Sequence, residues 1–524
     1  MATIQYKTGE KILIVLIFVS LIFYPHCSGN RIERITSLPS EIKNIQQSKE
    51  FPFLKLHMKN GDVYVLENWK VDNKEKSVNG NGISLDFNRQ PRDNGEYKIP
   101  FEDIVLAETN HISGSAGTGV LAAATIITGI FTIICIANPK ACFGSCPTFY
   151  TNDGNGFIVQ AEGFSSSISP SLEENDIDAL FMTKPGNKNL EVQLRNEAYE
   201  THVIRKANIL ALPREKGNRV FASQEEKFYE VKNLTEVSEA VGDEGDISEM
   251  LCTFDGIERF STADSFNLSE KEIIEVSFKN ISPGKKGLVV ASRQTLLTTF
   301  LFYQGLAYMG TSAGYFLANL ERNNDEVKKL LDNPRKELGN IEILAEKENG
   351  VWEKIGETGE HGPISTDIKI IPLQNNNSKS HINLRLKITK GLWRLDYLAL
   401  ADIVKEVKPI IVPPSGSFPE LTKEKSNIVK LLTNPDSVLI TFPGDKYFLN
   451  YQLPDDYESY ELFMESQGYY LEWMREEWLA EENPLKVYQM FYNPKQFFKD
   501  IAPQFKKIEA EMEETFWSSK YVNP

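Results

Sequence analysis

The chain has 524 residues, with 57 Lys and Arg against 73 Asp and Glu, a net charge of −16. Its 41% hydrophobic and 25% charged residues are those of a folded protein, and its length exceeds one ordinary domain. The acidic balance excludes nucleic acid as the main partner, because phosphate binding needs a cationic face. Five Cys and six His are too few for a metal array.

Residues 1–27 read as an export signal. Lys7 and Lys11 precede an uncharged apolar run, Ile12 to Phe23, too short to span ~30 Å of hydrocarbon. Cys27 follows the run and resembles the lipid-bearing position of bacterial lipoproteins. Tyr24, Pro25 and His26 stand where that site carries Leu and small residues. The expectation is lipidation at Cys27; ordinary cleavage and an uncleaved anchor are the alternatives.

Residues 28–110 predict a small all-β module. Leu54, Leu56 and Met58 alternate with Lys55, His57 and Lys59, so His57 is expected on the solvated face. Asn60-Gly61 predicts a hairpin and Asn79-Gly80-Asn81-Gly82 a second turn. Residues 111–139 are expected to form an apolar helix whose core, 117–137, is long enough to cross a bilayer; a helix buried between domains is the other reading.

Residues 140–285 predict a β-rich module. Asn152-Asp153-Gly154-Asn155-Gly156 makes a hairpin tip, lacking the closing Glu of a calcium loop. The stretch 235–250 reads as an acidic surface loop. Residues 286–335 predict a strand and then helices, the last ending before Pro334. Residues 336–412 alternate as a β-sandwich-like module, and 413–454 as a linker and β hairpin. Residues 455–524 carry 15 acidic and 7 basic residues and three of the six Trp. Tyr460, Phe463, Tyr470, Met474 and Trp478 recur at helical spacing, so this stretch is expected to be a helical, acidic, aromatic domain. Two further helices are expected over 485–500 and 503–517.

Two short motifs carry candidate chemistry. Gly310-Thr311-Ser312-Ala313-Gly314 matches the nucleophile pattern of serine hydrolases and resembles that of patatin-like lipases. No Asp-Gly or Asp-Ala follows to complete it, and only His361 and His381 lie downstream. The motif also fits close packing inside a helix. Cys142 and Cys146, with three residues between them, predict a structural disulfide in an oxidising compartment. A redox-active pair is the alternative.

Three stretches resemble a group of predicted bacterial envelope proteins of unknown function: residues 138–150 (NPKACFGSCPTFY), residues 391–397 (GLWRLDY) and residues 468–478 (GYYLEWMREEW). The resemblance implies an exported bacterial product and brings no activity with it. The combined expectation is a mainly β, multidomain, membrane-anchored envelope protein with a binding or assembly role. No cofactor, metal or catalytic residue is expected. Its partners would be membrane lipid and an envelope protein or glycan. Trp393, Tyr470, Trp473 and Trp478 form the expected contact surface. An enzyme using Ser312 or a thiol-redox protein using Cys142 and Cys146 is the rival class.

Overall fold

The computed structural model describes residues 30–37, 42–48, 51, 53–58, 62–85, 91–114, 146–197, 200–321, 325–347, 350–359, 362–373, 380–418, 428–441, 444–472 and 481–512. Cys27, the run 117–137, Cys142, Trp473 and Trp478 lie outside them, as do the expectations placed there. Among the described residues no helix is long and apolar enough to cross a membrane. The fold is mainly β, in small and almost entirely antiparallel sheets, with helices towards the C-terminal end. The chain divides into two compact units. One comprises Met1–Ile133, Gln304–Asn324 and Trp473–Tyr488; the other comprises Ile134–Tyr303, Asp325–Glu472 and Gln489–Pro524.

In the first unit, β1 (Asn30–Ser37), β2 (Leu54–Met58), β3 (Val63–Asp72), β4 (Ser77–Leu85), β5 (Pro91–Pro100) and β6 (Ile104–Gly114) build one sheet in the order β1-β6-β2-β3-β4-β5. β2 and β3 pair as the expected hairpin, Leu54 opposite Leu66 and His57 opposite Val63. Leu54, Leu56, Leu66, Trp69, Val78 and Ile99 form its core. Two expectations fail here. His57 is buried, as are Leu56 and Met58 on either side of it, so this end of β2 is covered on both faces. Asn79-Gly80-Asn81-Gly82 is not a turn but the middle of β4. A Cβ on Gly82 would stand 1.9 Å from the Val65 carbonyl oxygen, and the ladder is irregular between Leu66 and Asn68. The glycines therefore permit a close backbone approach at a bulge.

The second unit holds β7 (Thr148–Asn152), β8 (Phe157–Glu162), β9 (Glu174–Ala179), β10 (Asn189–Arg195), β11 (Glu200–Pro213), β12 (Arg219–Ala222), β13 (Phe228–Glu236), β14 (Glu239–Gly242), β15 (Gly245–Asp246), α1 (Ser248–Leu251), β16 (Arg259–Phe260), β17 (Lys271–Lys279) and β18 (Lys286–Gln294). After the helices α2 (Leu297–Met309), α3 (Ala313–Glu321) and α4 (Asp325–Leu338) come β19 (Ile341–Glu346), β20 (Trp352–Thr358), β21 (Asp367–Pro372), β22 (His381–Thr389), β23 (Trp393–Val407), β24 (Ile410–Val412) and β25 (Pro414–Phe418). The chain ends with α5 (Ile428–Thr433), β26 (Leu439–Thr441), β27 (Lys446–Gln452), β28 (Tyr460–Glu472), α6 (Pro484–Tyr492) and α7 (Pro494–Lys506).

Four sheets result, ordered β25-β27-β10-β7-β8, β24-β11-β28-β9, β13-β12-β21-β18-β23-β16 and β15-β14-β17-β22-β19-β20. The strands of residues 336–412 do not stay together: β19, β20 and β22 join β17, while β21 and β23 flank β18. The stretch 235–250 is not only loop, since it holds β14, β15 and α1. Val289, Ala291, Ile368, Ile370, Ala399 and Phe463 belong to one core cluster.

The helix expected from Tyr460 onward is instead the strand β28, paired with β11 on one side and β9 on the other. Leu462, Phe463 and Met464 are consecutive and all buried. A central strand covered on both faces loses its two-residue alternation, and its apolar run then resembles a helix stripe. Helices do follow Pro484, as α6 and α7, but the break falls at Asn493 rather than before Pro503, which lies inside α7. Pro334 does not end α4, which runs on to Leu338. Gly339 stops it, with φ +67° and its N–H donating to the Arg335 carbonyl at 2.8 Å. The Lys271 ammonium caps the Glu337 and Leu338 carbonyls, so tertiary contacts override the proline signal.

Candidate functional site

Within the second unit, ionisable side chains converge where three sheets meet. Asp176 and Asp178 are two apart on β9 and so share a face. Each accepts a backbone N–H from the end of β8: Phe164 donates to Asp176 at 2.8 Å and Glu162 to Asp178 at 3.0 Å. β8 and β9 belong to different sheets, so the two carboxylates bridge strands that share no ladder. From β21, Asp367 ion-pairs with Lys369 at 2.6 Å, and the Lys369 ammonium donates to the Ile177 carbonyl at 2.7 Å. The Glu162 side chain turns to the loop before β21 and accepts N–H groups from Ile364 at 2.7 Å and Ser365 at 3.3 Å.

Burial pushes the Asp178 carboxyl well above the usual carboxylate range, and the charges of Asp176 and Asp367 add to it. Asp176 moves the same way, also through burial, although Lys369 opposes the shift. Burial works against the Lys369 charge, but Asp367 and Asp178 outweigh it and hold its pKa up. Three carboxylates thus face one ammonium.

Beside this junction, Cys146 is a free, buried thiol. Burial, then the charges of Glu162 and Glu200, push its pKa well up. Its expected partner Cys142 lies outside the described residues; a thiol so raised carries little thiolate. Glu200 and His202 form a buried pair at 2.7 Å. Among the described residues no group of His, Cys, Asp and Glu is arranged to hold a metal ion.

The surface feature of this unit is the segment 252–267. Arg259 in β16 is buried and held by two carboxylates, Glu244 and Glu272, with four contacts of 2.8 Å. Glu258 points to the Arg293 guanidinium, which also donates to the Pro363 carbonyl at 2.9 Å. Asp396 accepts the Gly256 N–H with both oxygens at 3.2 Å, and burial lifts its carboxyl to about 6. Anchored in this way, the segment exposes Phe266 at 80% and Ile257 at 62%, and Phe260 lies half-exposed under the Arg394 guanidinium.

The expected contact residues stand elsewhere. Trp393 is 1% exposed in β23 and Tyr470 is buried in β28, its hydroxyl donating to the Ser165 carbonyl at 3.0 Å. Both are packing residues, because both side chains are buried. In the first unit, Ser312 lies half-buried in a one-turn 3-10 helix, Gly310–Ser312, between α2 and α3. That is not the strand-to-helix turn that exposes a hydrolase nucleophile. Gly310 has φ +53°, and a Cβ there would meet Glu482 at 2.5 Å, so this glycine serves a chain turn and a close approach.

Sequence reasoning missed Asp176, Asp178, Asp367 and Lys369. Their only local signals are the alternations Asp176-Ile177-Asp178-Ala179 and Asp367-Ile368-Lys369-Ile370, each of which reads as a half-solvated strand.

No family model and no curated protein matches the chain. Among solved structures, one titled "Structure of allantoicase" is similar to it at 11% identity, covering 54% of this chain and 98% of that one, with a TM-score of 0.18. A score that low assigns neither fold nor activity.

Proposed function

We propose that the protein is exported, anchored at the bacterial envelope through a lipid on Cys27, and works by binding an envelope protein through the segment 252–267. The observation that carries this reading is the exposure of Ile257, Phe260 and Phe266 from a segment fixed by Arg259, Glu258 and Asp396. Loops on a rigid scaffold are where contact residues concentrate, and an apolar centre with an Arg-bearing rim is the composition of a protein–protein interface. Pre-anchoring lowers the ordering cost of association.

The test uses the full chain with a photoactivatable phenylalanine analogue at position 266, irradiated in native envelopes. A discrete adduct with one envelope protein is expected, lost on Ile257→Ser with the fold retained. A label that gives no adduct, or one indifferent to Ile257→Ser, overturns the reading. Intact mass of protein extracted from its own membrane tests the anchor. A first residue Cys27 bearing acyl chains is expected, and retention of residues 1–26 refutes it.

A further inference from the structure

The junction and the exposed segment are joined by a continuous set of hydrogen bonds. Asp178 accepts from the Glu162 backbone. The Glu162 carboxylate holds Ile364 and Ser365. Their neighbour Pro363 accepts from Arg293, and Arg293 holds Glu258 of the exposed segment. At one end of this path stand more buried acids than the local cation can neutralise.

The groups facing Asp176 and Asp178 come from every neighbouring element. β21 brings Asp367 and Lys369. The end of β8 brings Glu162, which in turn faces Cys146. β28 places uncharged Met464 and Ser466 opposite the two aspartates, while its Glu465 lies opposite Ile177 and pairs with Lys206. With Asp367 neutralised by Lys369, the two β9 carboxylates have no further cation among these groups. Asp178 is buried and Asp176 beside it half-buried; two ionised carboxylates placed so repel each other, and a protein relieves that by keeping one of them protonated.

We propose that the junction is a proton-dependent latch: one proton held by the Asp176–Asp178 pair keeps β8, β9 and the loop before β21 together, and its loss to solvent base releases that loop and loosens the segment 252–267. The protonated carboxyl still accepts the Glu162 N–H through its carbonyl oxygen, so the closed state keeps every hydrogen bond of the path. Once both aspartates ionise, two charges share a site whose one ammonium is already paired with Asp367, and that cost favours a state in which the carboxylates reach water; it must outweigh the N–H contacts from Glu162 and Phe164, which favour the ionised form, and the nearby contacts of Ser166 and Ser167 with Glu174. Glu162 then shifts and carries its hold on Ile364 and Ser365 with it. The latch deepens the binding reading, since it would regulate the surface assigned there, but its test needs no partner.

The test is amide hydrogen exchange on the purified full chain at pH 6 and pH 9, corrected for intrinsic rates. Protection over 160–166 and 362–366 is expected to fall by about tenfold or more at the higher pH, with 252–260 following more weakly. Asp178→Asn, which fixes the neutral form, is expected to keep all three stretches protected at both pH values. Equal protection of the wild type at both pH values, or opening of the variant to the same extent, overturns the latch. Opening of 160–166 and 362–366 with 252–260 unmoved overturns its link to the surface. If Asp178→Asn does not fold, Asp176→Asn replaces it, with the same expectation. Cross-linking at position 266 carried out at pH 6 judges the binding reading separately, because the latch is closed there.

Discussion

Trp393 shows how one residue can look like a contact and be a core. It opens β23 opposite Gln294 of β18 and is 1% exposed. A Trp in a short alternating stretch looks the same on either face of a sheet; only the pairing decides which face is covered. Trp393→Ala removes a large, fully enclosed side chain and is expected to cost about 3–5 kcal/mol, read as a lower urea midpoint. A loss within the range of ordinary surface substitutions would return Trp393 to the surface. Cys146 makes the opposite point. Its thiol is enclosed and held protonated, so a maleimide should label it slowly in the native state and at full rate in urea. Fast native labelling would show an open, reactive site. The acids of the junction were illegible in the sequence for a related reason. Asp176 and Asp178 alternate with apolar residues as any half-solvated strand does, and what buries them comes from β8 and β21, the latter nearly 200 residues away.

Hairpins were the most legible elements, because a turn and two short runs determine them locally. β2–β3 and β7–β8 both form where the Asn-Gly and Asp-Gly turns predict them. Two other glycine signals misled, since the same residue serves a turn and a tight crossing. Gly80 and Gly82 face the backbone of β3, whereas Gly95 in the adjacent strand has nothing within 4 Å of an added Cβ. Gly82→Ala therefore forces the β3–β4 ladder apart and is expected to destabilise the first unit by about 2 kcal/mol or more, while Gly95→Ala is expected to be neutral or slightly stabilising. Equal effects in parallel urea titrations would refute the crossing. β28 was lost to a different ambiguity. The apolar run of a strand covered on both faces carries no period of its own.

On the scale of the whole molecule, buried acids should make stability depend on pH in a direction opposite to ordinary acid denaturation. Asp396 has a folded-state pKa of about 6, above its usual value of 3.8, because it is enclosed beneath the segment 252–267. The folded state therefore binds this proton more tightly than the unfolded state. The stability it contributes is fully present below the unfolded value and is lost as pH rises through about 6. The difference corresponds to a few kcal/mol at most, on the scale of roughly 1.4 kcal/mol per unit. Other carboxylates, such as Asp402 beside Lys286, shift downwards and pull the total the other way, so the wild-type profile alone does not isolate the effect. Asp396→Asn does, because it keeps an acceptor for the Gly256 N–H and carries no titrating proton. Urea midpoints taken from pH 4 to 7.5 are expected to show the wild type losing stability relative to the variant, steepest around pH 6. A difference constant across that range would mean that Asp396 is not enclosed, and the anchoring of the exposed segment at Gly256 would fall with it.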